Sequence, residues 1–459
     1  MTVPRWIAGL PFWAFMAVYA VTCVIAAIPM ALGYRPLHVL VKYFAGVTLP
    51  QPFDTPSVLV FWSLLFVAPA LMGAGYWLAW RALARRGDAV AWERSTARPW
   101  PAVVLFALLV WVAVQGLLRA GVIDDLGHWW DYGRWVESRW KLFKALGYFE
   151  FVNLYVWIPV IATWLLLRLG EQGGAWRWIA WGAVGLALAT TLALYQKKSL
   201  LAVMLLLLFA QSIATVLRGR WRSGADRAVM MVLATMVAMY LAMTVLPVWR
   251  ETTSKLAEIE TPVEEKESKR TELVDELSSI LGSQRTMHVA AYVLLSPFTR
   301  TSLPSFYYST VFPGHHPYFG MDWGFDILGF GNMPNDNYVV WNVMYPRMPG
   351  GSVSAPFQFI LFSQVGLVGA LLASFVAGAL LAAMWRLVLQ ARVDGALRAI
   401  AGALIVLFSV YIAIDSPRNS LVASYGLMWG ALVVLFIWSV ERLVARWHPP
   451  TGATAREAR

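Results

Sequence analysis

The chain has 459 residues, 59% of them hydrophobic and only 14% charged, with a mean hydropathy of +0.59. Soluble domains carry about 25% charged residues, so this composition excludes an ordinary soluble enzyme and a disordered chain. The net charge of +11 does not point to nucleic acid, because its distribution follows the connections between apolar runs.

Those runs reach about 20 residues, the length that crosses a hydrocarbon core of ~30 Å. The sequence predicts an all-α polytopic membrane protein with about ten spans, at 6–28, 57–80, 100–119, 150–168, 176–195, 199–217, 228–247, 355–385, 396–414 and 420–440. The first is too long for a signal-peptide core and lacks a small-residue cleavage site, so it reads as a retained helix. Cys23, the single cysteine, falls inside that run and reads as a small core residue. The eighth run is long enough to tilt or to begin with an interfacial turn. The organisation expected is a membrane bundle over 1–247 with a short extramembrane segment at 120–149, one large loop at 248–354, a second bundle over 355–440 and a tail at 441–459.

Orientation follows from the short connections. Arg81, Arg85, Arg86, Arg94 and Arg98 follow the second run, and Arg218, Arg220, Arg222 and Arg227 follow the sixth. Arg386, Arg392 and Arg398 follow the eighth, and Arg442 and Arg446 the last. All fall on one side of an even-numbered bundle, so that side and both termini are expected to be cytoplasmic.

The opposite side receives every lysine: Lys42, Lys141, Lys144, Lys197, Lys198, Lys255, Lys266 and Lys269. Arg119, Arg250, Arg285, Arg300, Arg347 and Arg418 join them there. The large loop opens with a charged stretch, Glu251 to Glu276, that reads as a solvated helix. It continues through Ser296 to Gly351, rich in Pro, Gly and Tyr, without a helical period. Irregular backbone of that kind is expected outside the hydrocarbon or around a wet cavity.

Gln196-Lys197-Lys198-Ser199 is the whole connection between two apolar runs. Its ammonium groups either snorkel as helix-end anchors or bind the phosphates of an embedded lipid, helped by the start of the next helix. Arg285 and His288 share a helix face at i,i+3, with Arg300 further on. Arg285 either pairs with Asp275 or Glu276 or grips a diphosphate bidentately. Asp415-Ser416-Pro417-Arg418-Asn419 links the last two runs; Asp415 either pairs with Arg418 or leaves it to the same cationic cluster. The remaining loop polarity (His315, His316, Asp322, Asp326 and Pro334 to Tyr338) matches no zinc spacing, and no metal site is expected. It reads as solvated polarity or as carbohydrate contact, with Trp129, Trp130, Trp323, Tyr338 and Trp341 offering aromatic faces for sugars. Walker, dinucleotide, GxSxG and HExxH motifs are absent from the sequence, and no cofactor is expected.

The segment Gly350-Gly351-Ser352-Val353-Ser354-Ala355-Pro356-Phe357, continuing through Phe362-Ser363-Gln364-Val365-Gly366-Leu367-Val368-Gly369, resembles a pattern of bacterial oligosaccharide repeat-unit polymerases, the Wzy-type O-antigen and exopolysaccharide polymerases. There a small polar stretch leads into an apolar helix that opens with an aromatic residue and carries Gly, two apolar residues and Gly. The basic pair Lys197-Lys198 and an arginine-bearing helix around Arg285 in one large periplasmic loop are also similar. An Arg-x10-Gly repeat found in some members is missing, because Gly314 is the fourteenth residue after Arg300.

The resemblance implies a GT-C-like bundle in the bacterial inner membrane acting as an inverting glycosyltransferase at its periplasmic face. It would pass a growing glycan from an undecaprenyl-diphosphate carrier to the next lipid-linked repeat unit, with a chain-length regulator, export proteins and membrane lipid as partners. Lys197, Lys198, Arg285, Arg300 and Arg418 would hold the diphosphate and stabilise the leaving group. His288, with His316 and Asp336 as alternatives, would be the general base. An O-antigen ligase has the same chemistry and stays open, as does a transporter or flippase of lipid-linked saccharides. The latter is disfavoured by the lack of an internal repeat.

Overall fold

The structure is a computed structural model that describes residues 5–45, 47, 55–83, 92, 99–123, 125, 132–170, 174–219, 227–240, 249–250, 253–254, 279, 282–320, 336–346, 351–391, 393–422 and 426–447. It is 85% helical, with no strand among these residues. Eight helices are long and apolar enough to cross a membrane. These are α1 (Leu10–Ala31), α3 (Ser57–Ala82), α4 (Trp100–Arg119), α6 (Tyr148–Leu169), α8 (Lys197–Leu217), α12 (Phe357–Gln390), α13 (Gly395–Ile412) and α15 (Leu427–Trp447). The chain is therefore an all-α, multi-pass membrane protein.

Two of the ten expected spans fall outside that set. The run at 176–195 is helical as α7 (Gly174–Leu192), long enough to cross but made less apolar by Arg177 and by Trp176, Trp178 and Trp181. The run at 228–247 is described as a shorter apolar helix, α9 (Arg227–Tyr240), and 241–248 lie outside the described residues. The last span starts seven residues later than expected, because the short helix α14 (Pro417–Leu421) intervenes.

Outside the spans lie α2 (Arg35–Ala45), α5 (Tyr132–Ala145), α10 (Arg285–Val311) and α11 (Asp336–Met344). The charged stretch containing Lys255, Lys266, Lys269, Asp275 and Glu276 lies outside the described residues.

The helix α10 corrects the reading of Ser296 to Gly351 as aperiodic, irregular backbone. It runs unbroken through Pro297 and Pro304, and residues 301–309 are all buried. A helix buried on every side has no polar face, so no period of 3.6 shows in its sequence. It packs on α1, where Cys23 Sγ lies 3.8 Å from Ser305 Oγ, and on α3, where Phe306 stacks on Phe61 at 4.3 Å.

The most intimate helix pair is α3 with α12. On α12 the buried small residues Ala370, Ser374, Gly378 and Ala382 recur every fourth position. Without a hydrophobic drive between helices in lipid, such stripes let backbones approach and gain dispersion contact. A Cβ on Gly378 would overlap the carbonyl of Met72, and one on Gly75 the carbonyl of Phe375. Gly378→Leu is therefore expected to destabilise by about 3 kcal/mol or more, measured as a lower unfolding temperature in detergent.

The α12 helix is not continuous. Gly366 has φ 73° and ψ −178°, so 357–365, buried over 357–363, is set apart from the rest of α12. Breaking a helix strands carbonyls that would otherwise accept from the next turn. Those of Ser363 and Gln364 instead accept from Phe319 N–H at 3.0 Å and Gly320 N–H at 2.9 Å. The residues 317–320 thus form a strap pinned to the break.

At the opposite end, Arg168 of α6 donates to Asp394 at 3.0 Å and to Glu441 of α15 at 2.9 Å. Asp394 also caps α13, accepting from Ala396 N–H at 2.7 Å, and Trp164 donates to Glu441 at 3.1 Å. The ion triad ties together the ends of α6, α13 and α15.

Candidate functional site

Where α8 begins, Gln196 is extended and Lys197 opens the helix. The preceding turn is held in place by Tyr195, in the left-handed region at φ 52°, whose hydroxyl donates to the Val122 carbonyl at 2.7 Å. Three residues on, Asp125 accepts from Ser138 of α5 at 2.6 Å and pairs with Lys141 at 3.5 Å. These contacts fasten α5 beside the start of α8, and the charge of Arg139 on α5 reaches Lys198.

Lys198 is closely surrounded by protein while remaining exposed, and it also feels the Asp415 carboxylate. Asp415 is buried after α13 and accepts from Ser416 N–H at 2.7 Å and Asn419 Nδ2 at 2.8 Å. Burial pushes its carboxyl above the usual range; the Asn419 and Ser416 bonds and the Lys198 charge oppose that shift. Arg418 lies three residues away on α14, half-buried. Tyr155 lies beside both Ser199 and Tyr411, and Tyr155 and Tyr411 line a crevice of about 20 Å³, room for about one water.

A second buried carboxyl is linked to this group through Tyr308. Asp336 opens α11, and its Oδ2 accepts from Tyr308 Oη of α10 at 2.7 Å and from Ser363 Oγ of α12 at 3.2 Å. The charge of Asp415 reaches Tyr308, which links the two carboxyls. Burial raises the Asp336 carboxyl from 3.8 to about 6, against the lowering effect of those two hydroxyls. The two carboxyls and two cations thus form a chain: Lys198 feels Arg139 and Asp415, and Asp415 acts on Tyr308, the partner of Asp336.

The residues singled out from the sequence separate into groups. Lys198 and Asp415 act on each other, Arg418 follows Asp415 on α14, and Asp336 is linked to Asp415 through Tyr308. His316 precedes the strap, its ring stacked on Phe319 at 4.6 Å and its Nδ1 2.6 Å from the Pro317 carbonyl. Tyr338, exposed, and Trp341, half-buried, follow Asp336 on α11, and the Gly351 backbone lies against the Trp341 ring.

His288 stands elsewhere, with its Nδ1 2.5 Å from Tyr34 Oη. Twenty helical residues separate it from Tyr308, about 30 Å at 1.5 Å per residue. Arg285 opens the same helix one turn further still. The side chains of Lys197, Arg285 and Arg300, and all of Trp129 and Trp323, lie outside the described residues. Among those described, no group of three His, Cys, Asp or Glu could hold a metal.

Tyr308, Ser363 and Arg139 were not foreseen as site residues. Arg139 is one cation among several on α5, and Tyr308 hides in an all-buried helix. The chain matches no known family, no curated protein and no solved structure.

Proposed function

We propose that this protein is an inverting glycosyltransferase that polymerises undecaprenyl-diphosphate-linked repeat units at the periplasmic face of a bacterial inner membrane, with both termini cytoplasmic. The observation that carries the reading is the buried Asp336 carboxyl held by the hydroxyls of Tyr308 and Ser363, with the charges of Lys198, Arg139 and Asp415 coupled at the start of α8. The resemblance around Ser352 to Gly369 supports it from the sequence side.

In this reaction the acceptor hydroxyl oxygen bonds to the anomeric carbon as the bond from that carbon to the lipid diphosphate breaks. The acceptor proton goes to Asp336, which is largely ionised near neutral pH and close enough to its midpoint to hold a proton. The electron pair leaves with the diphosphate, where Lys198, Arg139 and Arg418 oppose the growing charge. Tyr338 and Trp341 offer sugar faces beside the carboxyl.

The test is turnover of lipid-linked repeat units by purified protein, read as a ladder of lengthened glycans. Lys198→Ala is expected to lower kcat/KM about 100-fold, in the range for removal of one preorganised oxyanion partner. Glycan attached to lipid A core would instead identify a ligase. A wild-type protein that leaves every lipid-linked substrate unextended overturns the reading.

A further inference from the structure

The hydrogen bonds around Asp336 contain one proton too few. Ser363 Oγ is placed to donate to Asp336 Oδ2 at 3.2 Å and to the Ile360 carbonyl at 2.7 Å. A hydroxyl has a single proton to give, so these bonds exclude one another in any one instant. The alternatives correspond to the two charge states of the carboxyl.

With Asp336 ionised, Oδ2 accepts from both Tyr308 and Ser363, and the Ile360 carbonyl keeps its ordinary helical acceptance. With Asp336 protonated, the new O–H donates to Ser363 Oγ, and Ser363 turns its own proton to Ile360. No buried donor is orphaned in either state, which is rare for a carboxyl only 5% exposed and removes the usual penalty for an unsatisfied polar group.

The fold supplies what this requires. Ser363 sits three residues before the break at Gly366, where the strap of Phe319 and Gly320 takes the carbonyls that the break leaves without helical partners. Tyr318 packs on Gly366, where a Cβ would lie 3.4 Å from its ring. The serine is therefore held by backbone pinned from outside its own helix.

We propose that Tyr308 and Ser363 are the positioning residues of Asp336, Tyr308 by fixing Oδ2 and Ser363 by turning its hydroxyl between the carboxyl and Ile360 as the proton arrives and leaves. The proposal rests on Asp336 being the group that exchanges the proton. The titratable neighbours among the described residues are Tyr308 on α10 and Asp415 beyond it, while α12 brings the neutral Ser363.

Infrared titration of the purified full-length protein tests it without needing turnover. The carboxylic acid band that disappears in Asp336→Asn is assigned to Asp336, and its midpoint is followed with pH. Ser363→Ala and Tyr308→Phe each remove a donor to the charged form, so each is expected to raise the midpoint by about one unit. Ser363→Thr, which keeps the hydroxyl, should leave it in place. Unmoved midpoints in both deletion variants, or a threonine variant that behaves like alanine, overturn the proposal. If an alanine variant fails to fold, the Ser363→Thr and Tyr308→Phe pair still decides it. Turnover is read separately: shifted midpoints in a protein that extends no glycan uphold the positioning roles and reject the glycosyltransferase.

Discussion

Asp336→Asn is expected to abolish glycan extension, by about 10²- to 10⁴-fold as for loss of a general base, while leaving the protein as stable as before or more so. The two readouts part because of the sign of the linkage. The folded carboxyl sits at about 6 against an ordinary 3.8, so the native state holds a proton that the unfolded chain has already lost. Its contribution to stability is most favourable below the ordinary value, declines as pH rises, and is fully unfavourable above about pH 6. At pH 7 that cost is of the order of 3 kcal/mol, and the neutral amide removes it while its oxygen still accepts from Tyr308. A residue with a merely structural role would lose activity and stability together. In the wild-type protein, extension should halve near pH 6 and keep falling below it. A flat profile through that pH, with an active Asp336→Asn variant, transfers the base to another group.

Much of the bundle was legible because a membrane makes apolar length itself a signal. The spans at 57–80, 100–119 and 199–217 coincide with α3, α4 and α8 to within a few residues. Lys198 and Asp415 were legible for a related reason, since each lies in a polar connection so short that it must sit at a helix end. What joins them was not. Tyr308 and Asp336 are 28 residues apart across residues 321–335, and no local pattern selects one tyrosine of a Tyr-Tyr pair for the carboxyl. In sequence His288 was the first candidate for the base and Asp336 an alternative. Only the length of α10, hidden by its buried second half and two prolines, separates His288 near its start from Tyr308, the partner of Asp336, near its end. The break at Gly366 was equally hidden, because a glycine followed by two apolar residues and a second glycine is also ordinary small-residue packing in a membrane helix.

The triad of Arg168, Asp394 and Glu441 escaped the sequence for a simpler cause: each member is a charge near a span end, where a snorkelling side chain is the ordinary expectation, and both acids have arginines closer in the chain than Arg168. In the fold the three side chains are 8%, 4% and 2% exposed, too little for water to screen them. Arg168→Met removes the only cation that bridges both acids among the described contacts. It leaves Asp394 with its cap to α13 and Glu441 with Trp164 alone. Breaking one member out of a buried ion cluster costs about 3–5 kcal/mol, because the partners stay buried without compensation. The unfolding temperature in detergent is therefore expected to fall by more than for any surface charge. Arg168→Lys should recover little, since a point ammonium cannot reach both acids with the fork geometry that a guanidinium provides. Arg168→Met combined with Glu441→Gln should recover part of the loss, because one stranded charge is gone, and the coupling between the two changes measures the pair directly. A single Arg168→Met variant within about 1 kcal/mol of wild type would place these side chains in contact with water or lipid headgroups, and the end of α6 would then be free to part from α15.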